Sequence, residues 1–82
     1  MEDKMITRTQ TGVRIESSLL KVLKGLAEYT NLSLGDLLEG IVLHAFEGKA
    51  PFEPATQDII KQLKSVYGCD LTAADSQKLE ES

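Results

Sequence analysis

The stretch Arg8-Thr9-Gln10-Thr11-Gly12-Val13-Arg14-Ile15 decides how the rest of the chain is read. At the two-residue period of an extended strand, Arg8, Gln10, Gly12 and Arg14 fall on one face and Thr9, Thr11, Val13 and Ile15 on the other. The first face is polar and the second is β-branched throughout. Elsewhere the sequence shows helical periodicity, turns or tail, so this segment is predicted as the only strand. A lone strand leaves both backbone edges unpaired, which folded proteins avoid. The simplest remedy is a second copy of the same strand. Two chains related by a two-fold axis would pair these segments antiparallel, with the β-branched face down on helices and the Arg and Gln side chains outward. The sequence therefore predicts a mostly α homodimer joined by an intermolecular two-stranded antiparallel ribbon.

Upstream, Met1 to Thr7 is too short and polar to pack and reads as a flexible arm. Downstream, Glu16, Ser17 and Ser18 supply the oxygens a helix start needs, with Ser17 the expected cap. Leu19, Val22, Leu23, Leu26, Ala27 and Thr30 then recur at three- and four-residue intervals, an amphipathic helix with Lys21, Lys24 and Glu28 off its stripe. Asn31-Leu32-Ser33 breaks the period. Asn tolerates the left-handed conformation that ends many helices, and Ser33 opens a Ser-x-x-Asp pattern with Asp36 that resembles a capping box. The second helix carries Leu34, Leu37, Leu38, Ile41, Val42, Ala45 and Phe46, a sector wider than one buried face requires, so a second partner surface is implied. Gly25, Gly35 and Gly40 each cost roughly 1 kcal/mol against alanine in a helix interior, a cost that close approach of another backbone would explain.

Glu47-Gly48-Lys49 closes that helix, and Ala50-Pro51-Phe52-Glu53-Pro54 is a stiff connector. Ala55, Ile59, Ile60, Leu63, Val66 and Tyr67 mark a third amphipathic helix that Gly68 is placed to terminate, and Thr72 to Asp75 could cap a short final helix ending near Leu79. Lys78 to Ser82 are expected to fray. The division is a domain over residues 1–48 and a C-terminal helical extension over 49–82.

The order of strand, cap, amphipathic helix, short turn and capped amphipathic helix over residues 8 to 48 resembles the ribbon-helix-helix family of DNA-binding proteins, of which the Arc and MetJ repressors are examples. Leu23 to Ala27, Asn31 to Ser33 and Gly35-Asp36-Leu37-Leu38 carry the likeness, loosely in letters and well in spacing. The resemblance implies paired strands in the major groove, with Gln10, Gly12, Arg14 and Arg8 as the base-contacting positions. An arginine can bind guanine at O6 and N7 and a glutamine adenine at N6 and N7, each worth roughly 1 to 3 kcal/mol of discrimination. It also implies phosphate contacts at the start of the second helix, at Ser33, Leu34 and Gly35, joined by Lys21 and Lys24, whose charge would offset that of Asp36. The dimer core would be Val13 and Ile15 from the strand, Leu19, Leu23 and Leu26 from the first helix, and Leu37, Leu38, Ile41, Val42 and Ala45 from the second.

Composition sets the outer limits. At 82 residues the chain can bury only a thin core, which association would thicken. No apolar run approaches the length of a membrane span, and Met1-Glu2-Asp3-Lys4 is no signal peptide, so the expected address is the cytoplasm. One cysteine, Cys69, makes no intrachain disulfide, and one histidine, His44, offers no metal set; neither metal nor cofactor is expected. Ser17, Ser18 and Ser33 are caps before they are nucleophiles, and no enzyme activity is expected. The net charge is −4, but residues 1–24 carry +2 and the remainder −6, so a dimer would concentrate positive charge on its N-terminal parts.

Two functions follow. The first is a homodimeric, sequence-specific regulator of transcription acting as a repressor on double-stranded DNA. Its narrower form is an antitoxin that represses its own operon and offers the acidic 49–82 segment to a basic, toxin-like protein partner. The second is a protein-interaction or oligomerisation module of the same dimeric fold that does not bind DNA, which the −4 charge and the side chain missing at Gly12 favour.

Overall fold

The computed structural model describes residues 4–77; the expectations for Met1 to Asp3 and for Lys78 to Ser82 lie outside the described residues. Three helices follow an irregular arm: α1 (Ser17–Thr30), α2 (Leu34–Phe46) and α3 (Pro54–Tyr67), with a 3-10 turn at Ala73–Asp75.

Each helix boundary has a chemical cause. Glu16, not Ser17, is the cap of α1: its Oε1 accepts from the backbone N–H of Leu19 at 2.9 Å and from Ser18 Oγ at 2.6 Å. A carboxylate outdoes a hydroxyl here because its bonds are charge-assisted and it faces the positive end of the helix dipole. Asn31 ends α1 in the left-handed conformation (φ 59°), its N–H donating back to Glu28 O while Leu32 N–H donates to Ala27 O. Ser33 caps α2 as predicted, its Oγ accepting from Asp36 N–H at 3.1 Å. Proline supplies the first residue of α3, where its missing N–H costs nothing, and Gly68 (φ 65°) closes it. Thr72 and Asp75 form a capping box around the 3-10 turn, shorter than the final helix predicted.

The core lies between α1 and its two neighbours. Leu26, Ala27 and Leu37 are buried together, with Leu23, Ile41, Phe52, Ile60 and Leu63 packed around them. Val22 and the free thiol of Cys69 are buried as well. α3 lies along α1 over more of its length than α2 does, and α2 makes no direct approach to α3. Of the three glycines predicted to serve close approach, only Gly25 does so, with Leu63 and Tyr67 of α3 seated over it; nothing lies within 4 Å of the positions a Cβ would take at Gly35 and Gly40.

The predicted ribbon-helix-helix architecture is overturned. No β-strand occurs among the described residues, and Lys4 to Val13 form no backbone hydrogen bond. Period-two alternation tells which side chains would share a face; it does not supply the second edge that a ladder requires. Among the described residues no other segment offers that edge, so residues 8–15 stay irregular and the described fold is three helices with an N-terminal arm.

Candidate functional site

The arm is fastened to α2 at Arg8. Its guanidinium donates to Glu39 through Nε (3.1 and 3.3 Å to the two carboxylate oxygens) and Nη2 (3.1 Å), and Nη2 lies 3.7 Å from Asp36 Oδ1. Asp36 and Glu39 are three residues apart on one helix, so both carboxylates emerge on the same side of α2 and face one cation. Hydrogen bonding by Glu39, then its negative charge, raises the Arg8 pKa further above its ordinary value. The pair is exposed, so its hold is modest and screened by salt.

On either side of this clamp the arm and α2 enclose an open cleft. One, of about 560 Å³, is lined by Thr7 to Thr11 and Val13 from the arm and by Ser33, Gly35, Asp36, Leu38 and Glu39. It brings together two residues predicted to touch bases, Arg8 and Gln10, and two predicted to touch phosphate, Ser33 and Gly35. The other, of about 510 Å³, is lined by Ile6, Thr7, Arg8, Leu38, Glu39, Val42 and Leu43, and its walls are largely apolar. Arg14 is not in this group. It lines a separate cleft with Glu16, Leu19, Val22 and the 60–77 region. Gly12 is exposed, Leu34 half-buried, and Lys21 and Lys24 are exposed on α1 away from these clefts.

The residues predicted for a dimer core divide into two sets. Leu26 and Leu37 are buried, and Leu23 and Ile41 pack beside them. Ile15 and Leu38 are half-buried, while Val13, Leu19, Val42 and Ala45 are exposed. Leu37 and Ile41 thus point inward from α2, and Leu38, Val42, Ala45 and Phe46 form a second stripe at i, i+4, i+7 and i+8 on its outer side. Phe46 is 82% exposed and Val42 43%, and Leu43 beside them is 61%. These exposed side chains account for the apolar sector of α2 being wider than one buried face requires.

Sequence reasoning did not single out Glu39 as the partner of Arg8. The signal was present in Asp36 and Glu39, two carboxylates at helical spacing, but nothing local ties them to a residue 31 positions earlier. Among the described residues, no helix is long and apolar enough to cross a membrane. Comparison of the chain with family models, curated proteins and solved structures finds no match.

Proposed function

We propose that this chain works as a homodimeric DNA-binding regulator, assembled through the outer face of α2 and contacting DNA with its N-terminal arm. The observation that carries the reading is the apolar stripe Leu38, Val42, Ala45 and Phe46, half-buried at Leu38 and exposed at the other three. None of these four side chains is charged, so a two-fold axis laid across them sets apolar against apolar with no like charges opposed. A chain whose buried apolar side chains number so few gains most of what it lacks in this way.

A dimer carries two arms, each with Arg8, Gln10 and Arg14 on an exposed segment, at the end of the chain where positive charge is concentrated. Arginine and glutamine are the side chains suited to guanine and adenine edges. The free N–H groups at the start of α2, near Ser33 and Gly35, would add a phosphate contact beside Gln10. An autoregulating antitoxin is the narrower form of the reading, with exposed Val66 of α3 offering a contact for a protein partner. The pairing of Arg8 with Glu39 and Asp36 favours the second reading, a dimeric interaction module without DNA, because it holds one of the base-contacting cations against acids.

Sedimentation of the full chain, followed by titration with mixed-sequence duplex at low and moderate salt, tests both. The regulator gives a dimer that Val42→Asp and Phe46→Ser dissociate, and DNA binding that falls steeply with salt and weakens with Arg14→Ala. A dimer that ignores DNA even at low salt leaves the module. A monomer at all concentrations refutes both.

A further inference from the structure

We infer that Asp36 and Glu39 are an internal competitor for Arg8, two carboxylates of the chain itself that DNA must displace before this arginine can contact a duplex. The inference rests on the DNA-binding reading given above and adds its regulation. Arg8, Gln10, Ser33 and Gly35, which that reading places on DNA, line one cleft, and Asp36 and Glu39 line the same cleft. Glu39 accepts three hydrogen bonds from Arg8, two from Nε at 3.1 and 3.3 Å and one from Nη2 at 3.1 Å, and Asp36 Oδ1 stands 3.7 Å from Nη2. Both carboxylates come from the first two turns of α2, beside the backbone N–H groups that would meet phosphate.

A guanidinium binds a carboxylate, a phosphate or the O6 and N7 of guanine with the same planar fork of N–H groups. With Nε and Nη2 turned to Glu39, that edge is closed to DNA, and an anion approaching the rest of the guanidinium meets the charge of both acids. Arg8 therefore reaches a duplex only from the fraction of molecules in which the contact is open, and the apparent affinity falls by that fraction. The side chains of Arg8, Asp36 and Glu39 are each about half exposed, so the contact is reversible. An exposed pair of this kind biases an equilibrium by roughly two- to fivefold, which tempers binding without preventing it.

Titration of the full chain with a mixed-sequence duplex at low salt tests this. Glu39→Gln keeps the shape of the side chain and removes its charge, and it is expected to tighten binding roughly two- to fivefold. Glu28→Gln, at an exposed acid of α1 outside this cleft, shows what the loss of one negative charge does by itself. A cycle with Arg8→Ala then fixes the cause: if the acids hold Arg8 back, Arg8→Ala weakens binding more in the Glu39→Gln protein than in the parent. Affinity that Glu39→Gln leaves unchanged, lowers, or raises no more than Glu28→Gln does overturns the competition and leaves DNA binding standing. An Arg8→Ala loss that is no larger in the Glu39→Gln background does the same. A parent and a Glu39→Gln protein that both ignore the duplex overturn the DNA reading and the competition together.

Discussion

Replacing Gly25 by alanine sets two effects of similar size against each other. In the interior of α1 an alanine gains about 1 kcal/mol over glycine through reduced backbone entropy in the unfolded chain. At position 25, however, the new Cβ would stand 3.0 Å from Leu63 Cδ2, 3.5 Å from Leu63 Cδ1 and 3.7 Å from Tyr67 Cε2. Overpacking of this kind costs roughly 1 to 3 kcal/mol. The lower half of that range applies, because the atoms met are the tips of side chains that can give by a few tenths of an ångström. The net expectation is a change from neutral to about 1 kcal/mol destabilising. Gly40→Ala provides the contrast: nothing lies within 4 Å of its Cβ position, so the gain of about 0.5 to 1 kcal/mol is kept.

Urea unfolding, read at protein concentrations low enough to exclude association, measures both. For a domain of this size each kcal/mol also moves Tm by about 4 to 8 °C. Repeating Gly25→Ala in a Leu63→Ala background removes the opposing methyl groups, and the cycle should return a coupling of about 1 kcal/mol that favours the double variant. A Gly25→Ala protein as stabilised as Gly40→Ala, with no coupling to position 63, would refute the close approach of α3 to α1 at this point.

Two further outcomes follow from the helix ends. Hydrogen bonds from Ser18 and from the Leu19 amide lower the Glu16 pKa from its ordinary 4.5. A depressed carboxylate pKa contributes stability in full above that ordinary value and loses it as pH falls through the folded one. Acid titration of the unfolding midpoint should therefore show a loss in the acid range that Glu16→Gln reduces; an unchanged profile counts against the cap. At Asn31, with φ 59°, replacement by alanine should cost about 1 kcal/mol and replacement by glycine little or nothing, as measured by urea unfolding. Equal effects of the two would mean that the left-handed turn contributes no strain.

The sequence made the local features legible and left the non-local ones hidden. Asn31, Ser33 and Gly68 act where their own chemistry places them, because a left-handed turn or a hydroxyl cap is decided within four residues. The width of the apolar sector on α2 is matched by apolar side chains on its outer side, where Val42, Leu43 and Phe46 are exposed. Ser17 lost the cap to its neighbour for want of charge. The alternation of residues 8–15 marked two faces and nothing more, since strand pairing depends on an edge supplied from elsewhere. The candidate site was half visible. Arg8, Gln10, Ser33 and Gly35 were singled out and do share a cleft, whereas Glu39 entered only through the path of the chain.

The greater contact of α1 with α3 than with α2 has a consequence for how the protein comes into being. On the ribosome α1 emerges before α3, its more extensive neighbour, with the whole of α2 made in between. Until Ile60 and Leu63 clear the exit, Leu26 and Leu23 have only one side sheltered. The nascent polypeptide therefore shows sticky surface for the whole interval in which α2 and the connector are made, and α1 is enclosed only when α3 arrives.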